Sequence, residues 1–116
     1  MKKLTSIFKA LSDRNRLRIL SALMKYEELC ACHIIELIQV TGATVSRHMG
    51  VLIASGMVDS RKKGRWVYYR LSREKTDLAA LFTWIESQLS HDSSVALDMR
   101  VLGEIISLDP EVICRK

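Results

Sequence analysis

Residues 41–56 read TGATVSRHMGVLIASG and residues 57–71 read MVDSRKKGRWVYYRL, and the spacing of apolar residues changes between the two stretches. In the first, apolar residues recur with the period of an α-helix: Val45, Met49, Leu52 and Ile53. Thr41 is the expected N-cap of this helix, and Gly56 is the expected residue that ends it. In the second stretch, aromatic and β-branched residues flank a Lys-Lys-Gly turn, which predicts a β-hairpin.

Helical periodicity also dominates the residues before this stretch. The first segment has one apolar stripe: Leu4, Ile7, Phe8 and Leu11. Ser12 and Asp13 then supply an N-cap signal for a second helix. A third, short helix is predicted from Ala31 to Ile38, and a turn of a few residues joins it to the next helix. Two helices joined in this way form a helix-turn-helix, with the recognition helix at about 42–55.

After the hairpin at about 57–71, apolar faces at helical spacing return over about 74–108. The hairpin is expected to be a two-stranded ribbon that packs on the helices through Val67, Tyr69 and Leu71. The apolar faces at both ends of the chain exceed what one small core needs, which favours a homodimer formed through the terminal helices. Residues 1–116 are therefore expected to form one mainly α-helical winged helix-turn-helix domain with a small β-hairpin.

Charge is distributed unevenly along the 116 residues, whose formal net charge is +5. Residues 41–75 hold eight basic and two acidic residues, a net +6, whereas residues 76–116 hold three basic and seven acidic residues, a net −4. A basic block over the helix and hairpin favours a polyanionic partner. The sequence has no apolar run long enough to span a membrane and no recognisable signal peptide, so a cytoplasmic protein is expected.

The recognition helix and the hairpin turn have the geometry of a DNA-binding module, in which the helix enters the major groove. The residues expected to reach bases or phosphates from the helix are Thr44, Ser46, Arg47 and His48. Those expected to contact the adjacent backbone or minor groove from the wing are Lys62, Lys63 and Arg65. Taken singly, any of these side chains could simply be a solvated surface group, but their occurrence together favours double-stranded DNA.

The chain resembles the ArsR/SmtB family of metal-responsive winged-helix repressors over nearly its whole length. The motifs that carry this resemblance are Phe8 to Asp13 with Arg16-Leu17, Glu28 to Cys32, Val45 to Met49 with Leu52, Ser55 to Val58, and Gly64 to Leu71. The resemblance implies a dimer that occupies an operator without inducer and leaves it when a metal ion or metalloid binds. It is closest to the arsenical-resistance-operon repressor type.

Cys30 and Cys32 are soft thiolate ligands, which favour thiophilic ions. Similar arsenic-sensing members have a third cysteine where this chain has Ile35, and an aspartate where it has His33. The third ligand is expected to be Cys114, with water or hydroxide, a small cellular thiol or His33 as alternatives. The competing interpretation is that these cysteines are small buried apolar residues. Side chains at helix positions i and i+2, such as Cys30 and Cys32, point roughly 200° apart. Binding of one ion by both cysteines is therefore expected to unwind the start of the third helix.

The sequence therefore predicts a transcriptional repressor that binds operator DNA as a homodimer, needs no cofactor to do so, and is released by arsenite or antimonite. One alternative is the same fold sensing cadmium, lead, zinc or thiol oxidation. Another is a metal-binding or dimerising protein that does not bind DNA. No catalytic motif is recognisable, so an enzyme and a membrane protein are not expected.

Overall fold

The structure, a computed structural model, describes residues 1–114, with only the backbone of Pro110 and Cys114. The helices are α1 Lys2–Leu11, α2 Arg14–Lys25, α3 Ala31–Ile38, α4 Gly42–Ala54, α5 Thr76–Leu89, α6 Ser93–Ile106 and α7 Pro110–Cys114. The strands are β1 Leu29–Cys30, β2 Val58–Lys63 and β3 Trp66–Leu71, which form one antiparallel sheet in the order β1-β3-β2. None of the helices in this part of the chain is long and apolar enough to cross a membrane.

Local hydrogen bonds set the first residues of α2 and α4 as the sequence predicted. The Asp13 side chain accepts from the backbone N–H of Arg16 at 3.1 Å, and the Thr41 hydroxyl accepts from the N–H of Thr44 at 3.1 Å. Gly56, at φ 83°, follows α4 in the left-handed conformation that a helix-ending glycine adopts. The predicted N-caps and the bounds of α3 are confirmed.

The sheet has three strands, so the expectation of a two-stranded ribbon is wrong. In β1, Leu29 pairs with Tyr69 and Cys30 pairs with Tyr68. A strand of two residues is too short to show a period of two in sequence, and its partner lies about 40 residues away. The wing turn is also shorter than expected, because Lys63 still pairs with Trp66 and only two residues connect β2 to β3.

The core lies where α2, α3 and α4 pack against the inner face of the sheet. Its fully buried members include Ile19, Leu20, Leu23, Ile34, Met49 and Leu52. The inner face of β3 is confirmed at Tyr69 and Leu71, which are 9% and 2% exposed. Ile53 was predicted to face inward with Val45, Met49 and Leu52, but it is 40% exposed. It lies at the edge of the apolar stripe of α4.

The terminal helices retain exposed apolar side chains. Leu4 and Phe8 on α1 are 53% and 63% exposed, and Trp84 on α5 is 58% exposed. An ion pair between Lys3 and Asp77 connects the beginnings of these two helices. At the other end of the chain, α7 packs against α3 and buries Ile113 in the core. The helix α7 was not predicted from the sequence.

Candidate DNA-binding surface and thiol site

The first turns of α4 present polar and basic side chains outward. Ser46 and Arg47 are exposed, and Thr44 is partly buried. The Thr44 hydroxyl accepts a hydrogen bond of 2.9 Å from the Thr41 hydroxyl, which leaves its own O–H able to donate to a phosphate oxygen. This surface can contact bases through a bidentate arginine and phosphates through two hydroxyl groups.

His48 does not belong to this surface, which corrects the sequence expectation. It is 6% exposed, and its Nδ1 lies 3.1 Å from Nη1 of Arg16 on α2. Arg16 also donates to the carbonyl oxygens of Ala10 at 2.9 Å and Lys9 at 3.0 Å, so it joins the end of α1 to α4. The sequence contained the signal, because position 48 lies three residues after Val45 and therefore on the apolar face.

Basic side chains extend from the wing. Lys62 and Lys63 are exposed at the end of β2, and Arg65 is exposed in the turn. The Arg65 guanidinium lies 5.7 Å from the ring centre of Trp66 and donates to Glu111 Oε1 on α7 at 3.2 Å. The wing therefore offers cations to a DNA backbone, but one of them has a carboxylate partner within the chain.

A second ion pair fixes the wing to the start of β1. The Arg61 guanidinium donates two hydrogen bonds of 2.6 Å to the carboxylate of Glu28, and this contact lowers the pKa of Glu28 below its usual value. Arg61 also lies 5.3 Å from the ring centre of Tyr68. Bidentate pairs of this kind define an orientation as well as a distance. The residues before Cys30 are thus connected to the wing by side chains as well as by strand pairing.

Cys30 and Cys32 border the same groove. Cys30 is a free thiol, 1% exposed, and belongs to β1; it is also the N-cap of α3, with φ −70° and ψ 147°. Cys32 is partly buried in the first turn of α3. The groove has a volume of about 520 Å³, and its other walls are Ala31, Arg65, Trp66, Val67 and Glu111. Cys30 precedes α3, so the two cysteines are not both helical, and the predicted unwinding of α3 on chelation no longer follows from helix geometry.

His33 follows Cys32 in the first turn of α3 and is buried. Its Nδ1 accepts from the backbone N–H of Cys30 at 3.3 Å, and the side chain is 9% exposed. Nε2 is buried and has no hydrogen-bond partner in the described part of the chain. Burial lowers the pKa of His33 below its ordinary value. Nδ1 is used in the helix cap, so Nε2 is the ring nitrogen left for a metal, and His33 stays an alternative third ligand.

Cys114 ends α7, and its side chain lies outside the described part of the structure. The neighbouring Ile113 is 5% exposed in the core, and Glu111 contacts the wing across the cysteine groove. Among the side chains that the structure describes, no group of three His, Cys, Asp or Glu residues is arranged to hold a metal ion. The ligand set of Cys30, Cys32 and Cys114 therefore stays a prediction, and its all-sulfur chemistry fits a thiophilic ion.

Comparison with known proteins identifies the family. The family model described as "Bacterial regulatory protein, arsR family" matches residues 13–60. The chain is 45% identical over 71 residues to the cadmium resistance transcriptional regulatory protein CadC of Listeria innocua, a match covering 61% of this chain and 60% of that relative. It is 32% identical over 77 residues to the arsenical resistance operon repressor of Bacillus subtilis, covering 66% and 73%.

The fold has a solved counterpart in the homodimeric winged helix-turn-helix DNA-binding domain of a possible ArsR-family transcriptional regulator from Mycobacterium bovis. The TM-score is 0.65 at 27% identity, and the match covers 78% of this chain and 82% of that one. The family assignment rests on the helix-turn-helix, the wing and the match to the Bacillus subtilis repressor. This chain belongs to the arsR family of bacterial regulatory proteins.

Proposed function

We propose that this chain is a DNA-binding transcriptional repressor that occupies its operator as a homodimer and leaves it when trivalent arsenic or antimony binds Cys30, Cys32 and Cys114. The observation that carries the proposal is the groove that both Cys30 and Cys32 border. Its walls come from α3, which packs against the recognition helix α4, and from the wing. A ligand held there would touch the wing directly and would reach the recognition helix only through α3.

The exposed face of α4 supports the DNA-binding part of the proposal. Arg47 can donate two hydrogen bonds to a guanine in the major groove, while Thr44 and Ser46 contact bases or phosphates. Lys62, Lys63 and Arg65 on the wing neutralise phosphates of the neighbouring backbone. No cofactor takes part in these contacts.

The exposed apolar residues of α1 and α5 support the homodimer. Leu4, Phe8 and Trp84 are more than half exposed, and the homodimeric Mycobacterium bovis domain shares the fold. In a dimer, two α4 helices must reach successive major grooves, about 34 Å apart. A small change in the orientation of the two protomers therefore weakens binding at both half-sites.

Two thiolates at the start of α3 and one from α7 would supply the pyramidal ligand set of a trivalent metalloid. Such an ion would crosslink α3 to the C-terminal helix through bonds to sulfur. Because the thiols must lose their protons to bind, the apparent affinity for the ion rises with pH. Reduced thiols and DNA are both found in the cytoplasm, where we expect the protein to act.

A second candidate is a cadmium sensor with the same fold. It is favoured by the 45% identity to a protein named a cadmium resistance regulator. Cadmium also binds thiolates, but prefers four ligands, so it would need a donor beyond the three cysteines. Lead, zinc and thiol oxidation are further inputs that the same cysteines could sense.

Operator release under a panel of ions tests these proposals. A DNA site selected in vitro from a random library is bound by the reduced protein, with a phosphine as reductant, and arsenite, antimonite, cadmium, lead and zinc are titrated separately. Release by arsenite and antimonite at the lowest concentrations supports the proposal. Release by cadmium at lower concentrations supports the second candidate. A protein that selects no DNA, or is released by no ion, contradicts the proposed function.

A further inference from the structure

Arg16 of α2 connects the end of α1 to the recognition helix α4. Its Nε donates to the carbonyl oxygen of Ala10 at 2.9 Å, and its Nη2 donates to that of Lys9 at 3.0 Å. The other terminal nitrogen, Nη1, lies 3.1 Å from Nδ1 of His48 on α4. Because a guanidinium is planar and its donors point in fixed directions, these three partners on two helices define its orientation.

The contact with Arg16 also fixes the role of the His48 ring. A guanidinium has donors only, so Nδ1 of His48 must be the acceptor, and the proton of the neutral ring must lie on Nε2. His48 is 6% exposed, and its neighbours Val45 and Met49 on the same face are each 1% exposed. Apolar burial has no preferred direction, whereas a hydrogen bond has one. The contact therefore restricts the rotation of α4 more closely than the surrounding apolar packing does.

The rotation of α4 decides where Arg47 points. Arg47 and His48 are adjacent, and adjacent side chains lie about 100° apart around a helix axis, so holding His48 fixes the direction of Arg47. Helix side chains extend about 5–6 Å from the axis, and a rotation of about 10° therefore displaces their ends by about 1 Å. Two hydrogen bonds to one guanine need both N–H groups in line with their acceptors, so such a displacement weakens base recognition.

We propose that Arg16 and His48 are positioning residues of the recognition helix, which together fix the rotation of α4 relative to α1. The inference rests on the DNA-binding part of the proposed function. The pair acts through Arg47 and does not itself contact a base. Since α1 also carries the exposed Phe8 of the proposed dimer interface, the pair sets the direction in which each α4 faces in the homodimer. Its loss lowers sequence preference, while the wing cations still bind phosphates.

Two variants of His48 separate positioning from stability. His48→Leu removes the acceptor but keeps a large apolar side chain in a buried position. His48→Asn keeps an acceptor near the place of Nδ1, but its side chain is smaller and its helix propensity is lower than that of leucine. The measured quantity is the ratio of the Kd for random-sequence DNA to the Kd for the selected site. Urea denaturation of each variant gives the free energy of unfolding.

We expect the ratio and the stability to change in opposite order. In His48→Leu the ratio should fall by about three- to thirtyfold, a part of the discrimination that one bidentate base contact supplies. In His48→Asn the ratio should fall by less than about twofold, although this variant is the less stable of the two. A ratio that follows stability across the two variants shows a structural role only and overturns the proposal.

Arg16→Lys tests the other half of the pair, with Arg73→Lys as the matched control. Arg73 also holds the end of a helix, because its Nη2 donates to the carbonyl oxygens of Leu23 at 2.8 Å and Met24 at 3.2 Å. Both variants keep the positive charge, but a lysine ammonium does not reproduce the planar fork of a guanidinium. We expect the ratio to fall in Arg16→Lys as in His48→Leu and to stay unchanged in Arg73→Lys. Equal ratios in Arg16→Lys and Arg73→Lys overturn the proposal, even if His48→Leu does not fold.

The double variant of Arg16→Lys and His48→Leu shows whether the two residues act together. If they form one unit, its ratio equals that of either single variant, whereas independent effects multiply and overturn the pair. Failure of the proposed function is recognised in the unaltered chain. If that chain selects no DNA site, the inference fails together with the proposed function. If it selects a site and His48→Leu keeps the full ratio, only the inference fails.

Discussion

The guanidinium of Arg18 on α2 donates two parallel hydrogen bonds, of 2.8 and 2.9 Å, to the two carboxylate oxygens of Asp98 on α6. Asp98 is 5% exposed, and the Arg18 side chain is 21% exposed. Arg18 also donates to the side-chain oxygen of Asn15 at 2.9 Å. This pair fixes a C-terminal helix to the first helix of the core.

Asp98→Asn should destabilise the fold, because it leaves the partly buried Arg18 without its counter-ion. Removing one partner of a fully buried ion pair lowers the free energy of unfolding by about 3–5 kcal/mol. Because Arg18 keeps some access to solvent, we expect a decrease of about 2 kcal/mol here. Urea denaturation measures the change. The control is Asp77→Asn, which removes the exposed partner of Lys3 and should cost less. Equal losses in the two variants would show that the Arg18 contact adds no stability beyond a surface pair.

Arg47→Ala and Lys62→Ala should weaken DNA binding in different ways. Loss of a bidentate base contact at Arg47 should cost about 1–3 kcal/mol at the selected site and relax its sequence preference. Loss of a phosphate contact at Lys62 should weaken all sequences alike and reduce the slope of log K against log salt by about 1.

Binding titrations at several salt concentrations measure both effects, and Arg100→Ala, exposed on α6, is the control. If both variants retain the affinity and the salt slope of the unaltered chain, the DNA surface proposed on α4 and the wing is wrong.

Cys30→Ser, Cys32→Ser and truncation after Ile113 should each reduce the arsenite response while leaving operator binding in place. Serine oxygen is a hard ligand and does not replace a thiolate for a soft ion. We expect arsenite affinity to fall by more than about tenfold in each variant, since even the supporting partners of metal ligands contribute that much. Operator-release titrations measure it. An unchanged response after truncation would remove Cys114 from the ligand set.

His33 should make the fold less stable as the pH falls. Burial lowers the pKa of His33 in the folded chain below the ordinary value of 6.5. The unfolded chain therefore takes up the proton first, and the free energy of unfolding decreases progressively as the pH falls below about 6.5. In His33→Asn the amide oxygen can still accept from the N–H of Cys30, but the group does not titrate.

Urea denaturation at about pH 7.5 and about pH 5.5 should therefore show a smaller loss of stability in His33→Asn than in the unaltered chain. His91→Asn, which replaces an exposed histidine, is the control. A loss of the same size in His33→Asn and the unaltered chain would mean that His33 is not the group responsible.

Phe8→Asp and Trp84→Asp should each produce a monomer if the exposed apolar residues of α1 and α5 form the dimer interface. A charge placed in an apolar interface loses its hydration without gaining a partner. Sedimentation equilibrium measures the mass, and the monomers should also bind the selected DNA site poorly. Ile53→Asp changes an exposed apolar residue of α4 and should leave the dimer intact. A dimeric Phe8→Asp and a dimeric Trp84→Asp would place the interface elsewhere.

The features that the sequence predicted well are those made by neighbours in the chain. Asp13 and Thr41 cap helices through hydrogen bonds to residues three positions ahead, and Gly56 ends α4 by its own conformational freedom. β1 was missed because its two residues are held by pairing with a distant strand. Its existence depends on how the wing folds back over α3.

In the candidate sites, too, the sequence predicted what depends on neighbouring residues and missed what depends on distant ones. Exposure of Arg47 and the wing lysines agrees with the polar spacing of their segments, but the position of Cys30 in a strand could not be derived from helical periodicity. For α7 the sequence does hold a local signal, because Asp109 precedes Pro110 and proline is favoured in the first position of a helix. The Arg65–Glu111 contact brings together residues 46 positions apart, which no spacing rule predicts.

Cys30 is both the last residue of a strand and the residue that caps a helix. The continuous segment of residues 29–38 therefore ends in the sheet on one side and, through Gln39 at φ 62°, leads into the recognition helix on the other. Two of the three proposed inducer ligands, Cys30 and Cys32, lie in this segment, and the groups proposed to read DNA lie outside it. Inducer preference can therefore diverge between relatives while operator preference stays the same.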